Sequence, residues 1–262
     1  VEAQPLPSWI TSYYGPTSQP FKQEVYFGKL SWSANESNLF ELSAKYRDEV
    51  GMLDVGGTRT ESAATALVND ETRIDLRHQF TSMNWLNDAH ITYEESAYNP
   101  SAVVSGPAIY YTVITPNQSN PNNNTRVLWT GAGTNNQDKG QKGWAIQDDL
   151  TWFGWEGHTL KMGVKYKQVD LTSFSNPPTQ YTYDINDPSG LPYQLTYNAV
   201  RPGRSPNVLS ENKQFGIYIQ DDWEVNEKLM LNLGVRWDYE RNPSFENYVL
   251  NPTIAATMRA YA

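Results

Sequence analysis

The most constraining feature is a two-residue hydrophobic alternation that recurs in long segments arranged as pairs. In residues 228–240, Leu229, Leu231, Leu233, Val235, Trp237 and Tyr239 occupy one parity. Met230, Asn232, Gly234, Arg236, Asp238 and Glu240 occupy the other. A strand sends successive side chains to opposite faces, so this pattern gives one apolar and one polar face. A helix would need apolar residues three and four apart, and none of these segments has that spacing. The preceding segment, 213–224, sets Phe215, Ile217 and Ile219 against Gly216, Tyr218 and Gln220. Similar pairs occupy residues 23–34 with 38–48, 72–82 with 87–96, and 142–153 with 158–170. Four hairpins are therefore expected, spanning 23–48, 72–96, 142–170 and 213–240.

The connections alternate in length. Within a pair they are three or four residues; between pairs they are 23 (49–71), 45 (97–141) and 42 (171–212) residues. A compact soluble domain seldom carries structureless loops of that length. A membrane barrel with short turns at one end and long loops at the other does, and its strands have this dyad alternation. The expected fold is all-β: a segment of an antiparallel up-and-down transmembrane barrel, with about eight long strands.

Composition agrees. Nine Trp, 17 Tyr and 8 Phe make 13% of the chain aromatic, although its mean hydropathy is −0.64. Disordered chains are poor in aromatics. A formal charge of −9 argues against a nucleic-acid groove, which needs a basic stripe. The absence of cysteine removes disulfides and thiolate chemistry, and three dispersed histidines offer little for a metal centre. No apolar run approaches a membrane helix. The first residues carry no signal-peptide pattern, which fits either a processed chain or an internal piece of a longer one.

Residues 215–238 (FGIYIQDDWEVNEKLMLNLGVRWD) resemble a hairpin of the TonB-dependent outer-membrane receptors. In that family an aromatic-rich strand ends in Gln-Asp-Asp-Trp, and a polar turn leads into Leu-x-Leu-x-Leu-Gly-aliphatic-Arg-aromatic-Asp. Residues 144–166 are a looser copy, in which Ile146-Gln147-Asp148-Asp149-Leu150 aligns with Ile219-Gln220-Asp221-Asp222-Trp223. The resemblance implies a Gram-negative outer-membrane location and uptake of a scarce solute (siderophore, cobalamin, carbohydrate or peptide). It further implies energy from the TonB complex, delivered through a plug domain of which this chain shows no sign. The partners are then outer-membrane lipid and a small solute. No nucleic acid and no cofactor is expected. Two rival readings are a complete eight-stranded barrel for adhesion or structure, closed by pairing 23–34 with 228–240, and a secreted β-rich carbohydrate-binding module.

In the barrel reading Phe215, Ile217, Ile219, Leu231, Leu233 and Val235 face lipid. Trp152, Tyr166, Trp223, Trp237 and Tyr239, near strand ends, suit the headgroup level. Asp148-Asp149 and Asp221-Asp222 read as turn acids, because neighbours on a strand cannot share one site. Residues 184–190 resemble a calcium loop but place Pro188 and Leu195 where an EF-hand needs acids, so an Asx turn is expected. The glycosylation-type triplets at Asn35, Asn117 and Asn123 are expected by chance in so Asn-rich a chain. No nucleophile–base–orienter set is visible, and no enzyme is expected. Candidate solute contacts lie in the long connections: Tyr110, Tyr111 and Trp129 in 97–141, and Tyr181, Tyr183, Tyr193, Arg201 and Arg204 in 171–212. Aromatic and amide groups suit rings and sugars, and arginine suits carboxylates.

Overall fold

A computed structural model describes residues 5–115, 123–198, 207–243 and 252–260. In chain order the strands are β1 (Phe21–Asn35), β2 (Asn38–Leu53), β3 (Thr65–Thr81), β4 (Trp85–Tyr98), β5 (Ser101–Ala102), β6 (Ala108–Ile114), β7 (Asn124–Gly131), β8 (Gln137–Trp155), β9 (His158–Ser175), β10 (Gln180–Asp184), β11 (Gln194–Thr196), β12 (Asn207–Asn226) and β13 (Leu229–Arg241). Two short helices, α1 (Ser8–Thr11) and α2 (Pro252–Ala260), lie near the ends. No helix among the described residues is long and apolar enough to cross a membrane.

The main sheet runs β1-β2-β3-β4-β8-β9-β12-β13, each strand antiparallel to the next. It is an up-and-down meander built from four hairpins. β1 and β13 end the path, and β5 is a side partner of β3.

Seven strands are longer than the alternation predicts, at 14 to 19 residues in β1, β2, β3, β4, β8 and β9 and 20 in β12, while β13 keeps the expected 13. The extra length lies at the ends that meet the long connections. There the outer end of β8 is polar on both faces, while those of β2 and β3 carry apolar residues on both parities (Val50, Met52, Leu53; Ala66, Leu67, Val68), so pairing continues after the two-residue alternation has stopped. The turns are shorter than predicted: Glu36–Ser37, 82–84, Glu156–Gly157 and Glu227–Lys228. Trp85 and Trp155, expected in turns, are strand residues; Trp85 pairs with Trp152 and Trp155 with His158.

Register joins the expected faces across strands. Leu30, Leu42, Leu76, Ile91 and Ile146 are successive cross-strand neighbours. Val164, Ile217 and Trp237 continue the same face on β9, β12 and β13. Aromatics border this apolar face in two rows. At the turn end, Trp32–Phe40, Phe40–His78, Trp85–Trp152 and His158–Trp223 have ring centroids 5.5, 4.4, 5.8 and 5.4 Å apart. At the far end, Tyr26–Tyr46, Tyr93–Trp144 and Phe215–Trp237 lie 6.4, 4.8 and 5.9 Å apart. Eight residues separate Trp144 from Trp152, about 26 Å along a strand. Strand tilt reduces that to about 20 Å of height, near the width of an outer-membrane apolar band.

The opposite face is laced with cross-strand ion pairs. Lys29 and Arg77 meet Glu41 at 2.7 and 3.1 Å, and Arg77 meets Asp88 at 2.5 Å. Both acidic pairs split between the faces, as strand geometry requires. Asp149 accepts from the Tyr218 hydroxyl (2.8 Å) and Asp222 pairs with Lys161 (2.6 Å), on the polar side. Asp148 and Asp221 project from the apolar side, where they bond Asn87 and His158.

The long connections do not behave as loops. They form a second sheet, ordered β11-β10-β6-β7, in which β10 runs parallel to β6. This sheet caps the end of the meander opposite the short turns. Five of the eleven buried apolar residues among those described, Ala108, Tyr110, Val127, Leu128 and Trp129, belong to it, and Ala63 and Ile10 pack against them.

Candidate functional site

The cap is assembled from three connections and the chain's beginning. β6 and β7 come from the connection before β8, and β10 and β11 from the one before β12. The connection between β2 and β3 joins beside β7. There the Thr60 N–H donates to the Trp129 carbonyl at 2.9 Å, and the Trp129 N–H donates to the Thr58 carbonyl at 2.7 Å. A 3-10 turn at Glu61–Ala63 then brings Ala63 under the sheet. α1 covers the other face with Ile10, next to Val127 and Leu128, with Leu6, Tyr111, Val113 and Ile185 around them. The Tyr14 hydroxyl ties this segment down by donating to the Val127 carbonyl.

Alternation along β6 separates two faces. Ala108, Tyr110 and Thr112 point to one, and Ile109, Tyr111 and Val113 to the other. On the first face Tyr110 (5% exposed) meets Trp129 (4% exposed) edge to face at 4.9 Å, beside Ala63 and Ala108. Two guanidinium groups lie over these rings. Arg59 sits 3.7 Å above Trp129, and Arg126 sits 3.8 Å above Tyr110 and 5.1 Å from Trp129. Arg59 is further held by Asp54 at 2.7 Å. Asp54 adopts a positive φ of 60° and accepts from the Thr65 hydroxyl at 3.0 Å, which fixes the turn that delivers Arg59.

Thr112 stands opposite Arg126 in the β6–β7 register and projects from the same face. Its hydroxyl lies 3.1 Å from the Tyr183 carbonyl and 3.2 Å from the Tyr193 hydroxyl. Its single proton satisfies the carbonyl, so the Tyr193 hydroxyl donates and keeps its lone pairs for another partner. Tyr193 is 42% exposed.

The sequence candidates therefore separate. Tyr110 and Trp129 are packed inside the cap, where they bind arginine cations and not solvent. Tyr111 and Tyr183 stack at 5.4 Å on the α1 side, with Trp9 edge-on to Tyr111 at 5.0 Å. Burial raises the Tyr111 phenol above its ordinary pKa, and the neighbouring Tyr183 and Tyr13 add to that. Tyr181 shares that side through its register with Ile109, and Tyr193 stands by itself at the arginine side. Arg201 and Arg204 lie outside the described residues, as does Asn117. Residues 184–190 form the expected turns: Asp184 and Asp187 side chains accept from the Asn186 and Ser189 N–H groups at 3.1 and 2.9 Å. Arg59 and Arg126 were not singled out by sequence. For Arg126 the signal available was an arginine three residues before Trp129 in a connection with a single acid; the connection that carries Arg59 holds no aromatic, so its ring partner had no local signal.

A family profile described as "outer membrane beta barrel domain" matches residues 2–256. No curated protein sequence matches the chain. Among solved structures, Escherichia coli YddB, described as an outer membrane transporter, shares 14% identity at a TM-score of 0.58; the match covers 84% of this chain and 28% of YddB. Pseudomonas aeruginosa FpvA, bound to a heterologous pyoverdine and iron, shares 16% at 0.59 over 87% of this chain and 31% of FpvA. The ferric-catecholate import receptor Fiu of E. coli K12 shares 17% at 0.55 over 85% and 34%. At these identities the likeness is one of fold, and the chain spans about a third of the length of each structure.

Proposed function

Because the chain belongs to the outer membrane beta barrel domain family, and so resides in the outer membrane of a Gram-negative bacterium, we propose that it supplies part of the wall and external cap of a TonB-dependent receptor. Such a receptor takes up a scarce solute, such as a siderophore, cobalamin, carbohydrate or peptide, and does so without covalent chemistry. Energy reaches it from the TonB complex through a plug domain. The observation that carries this reading is the cap. Two connections that sequence places far apart fold into one sheet and a third packs beside it around a shared core, giving a preformed surface at the external end where a solute arrives. The hairpin at 215–238 and the likeness to a transporter and an import receptor support it further.

In this reading the apolar face, including Phe215, Ile217, Ile219, Leu231, Leu233 and Val235, meets acyl chains. Trp152 and Trp223 mark one headgroup level, and Tyr166, Trp237 and Tyr239 the other. The polar face lines the lumen, and strand pairing satisfies the backbone that lipid cannot. Exposed Tyr193 and the arginine face of the cap contact the solute.

The test is uptake by whole cells with and without the gene that encodes this chain, using iron chelates, cobalamin and oligosaccharides as cargo. Accumulation that requires the gene and stops when a proton uncoupler is added is the expected result. Gene-dependent entry that continues unchanged with uncoupler would mean a passive pore and would overturn the proposal.

A further inference from the structure

We infer that Arg126 is the anchor of an anion subsite on the cap, built for a carboxylate or phosphate group of a soluble ligand. The inference deepens the reading above and rests on it for the ligand's arrival at this face, but the subsite itself is argued from the cap's own geometry.

In this acidic chain five other arginines are held by carboxylates. Arg47 meets Glu71 at 3.3 Å, Arg59 meets Asp54 at 2.7 Å, Arg73 meets Glu94 at 3.0 Å, Arg77 meets Asp88 at 2.5 Å and Arg236 meets Asp238 at 2.7 Å. Among the described residues, Arg126 meets no carboxylate within ion-pairing distance; its partners are the rings of Tyr110 and Trp129. Residues 97–141 contain a single acid, Asp138; of the segments outside the described residues, 116–122 and 199–206 contain none, and 1–4 and 244–251 contain one each. The acids of β10 and its turn, Asp184 and Asp187, already accept from their own backbone. In a chain with 29 acids, the 45-residue connection that carries this exposed guanidinium holds one.

Arg126 is also held in position. One face of its guanidinium lies over the Tyr110 ring, which is itself buried against Trp129. The ring contact restrains the guanidinium, and Arg126 remains exposed with N–H donors that no carboxylate among the described residues takes up. Those donors can grip two oxygens of one carboxylate or phosphate. Thr112, opposite Arg126, brings the Tyr193 hydroxyl to the same face. A positioned cation with an unfilled edge binds without the ordering cost of a mobile side chain.

The experiment uses the whole detergent-solubilised receptor that contains this chain, titrated with citrate, inorganic phosphate and, as a neutral control, glucose. A parallel arm measures binding to vesicles with and without lipopolysaccharide, whose phosphates offer the same chemistry from the membrane. The expected result is saturable citrate or phosphate binding that weakens about tenfold or more in Arg126→Gln, the scale of one charge-assisted pair. Arg126→Lys, which keeps the charge but loses the planar fork, should fall between. Protease protection of the cap in both variants separates lost binding from lost folding. No saturable citrate or phosphate binding to the native receptor below about 10 mM, the edge of measurable affinity, overturns the subsite. Equal binding in native and Arg126→Gln protein overturns it as well, and Arg126-dependent binding of lipopolysaccharide vesicles with none of citrate or phosphate overturns the soluble ligand. Uptake in cells is read separately. Uncoupler-sensitive uptake with anion binding indifferent to Arg126 sinks this inference and leaves the transport reading standing. Arg126-dependent binding with uncoupler-insensitive entry does the reverse.

Discussion

Replacing Trp129 with Ala should open the cap and leave the barrel wall intact. Trp129 is 4% exposed, touches Tyr110 edge to face at 4.9 Å, carries Arg59 at 3.7 Å, and donates its Nε1–H to the Ala132 carbonyl at 3.4 Å. Its backbone pairs with Thr58 and Thr60, so those bonds survive the substitution. Emptying a buried tryptophan site costs about 3–5 kcal/mol. Loss of the arginine–ring contact is part of that figure and is not added to it. The main sheet has its own hydrogen-bonded ladder and shares few side chains with this core. The whole penalty therefore falls on local opening of the cap. At 1.4 kcal/mol per decade, the open fraction rises by about a hundredfold or more. Trypsin cutting at Arg59 and Arg126, followed by mass spectrometry under conditions where reclosing is fast, reads that fraction directly. The barrel's heat-dependent gel migration should not change. The reasoning is refuted if cap cleavage rates stay within about threefold of native, since even 1 kcal/mol exceeds that. It is refuted equally if the main sheet loses protection together with the cap.

Three further outcomes follow from the same structure. Val235→Arg, on the apolar face between Ile219 and the far aromatic row, should destabilise the barrel by about 2–4 kcal/mol in a lipid-vesicle unfolding titration, and Asn232→Arg on the polar face by much less; equal losses at both parities would refute the facing assignment. Burial raises the Tyr14 and Tyr111 phenols above the ordinary 10.0. The folded cap thus resists their ionisation, its stabilisation is complete below pH 10.0, and it is lost as pH climbs beyond that value. Protease protection of the cap measured from pH 8 upward should hold level to about pH 10 and then fall, less steeply in Tyr14→Phe. Gly143→Ala should weaken the β8–β9 pair by about 1–3 kcal/mol, because a Cβ there runs into the Gln168 carbonyl oxygen of the neighbouring strand; an unchanged melting temperature would contradict that packing.

The wall was legible because each of its strands carries its own instructions. Leu229 to Tyr239 alternate without reference to any other part of the chain, since each strand meets two different solvents on its two faces. Register adds the neighbours but does not change which residue faces which way. Where β2 and β3 run on towards the cap, with Thr65 and Leu67 buried and apolar residues on both parities, the alternation stops although pairing goes on, and the strand ends were correspondingly misplaced.

The cap was not legible, and the reason lies in where its contacts come from. Sequence determined which residues could be there: aromatics and amides in the connections 97–141 and 171–212, and a few arginines across all three. Only the tertiary structure decided that β10 lies parallel to β6, some seventy residues away, that Ile10 closes one side and Ala63 the other, and that Arg59 arrives over Trp129. Each of these apolar stretches is too short to show a period, because its partner faces are donated by other segments. Trp129 and Tyr110 therefore read as exposed solute contacts and prove to be core. Arg126, which the sequence did not single out, proves to be the cation that lies over Tyr110 beside Trp129.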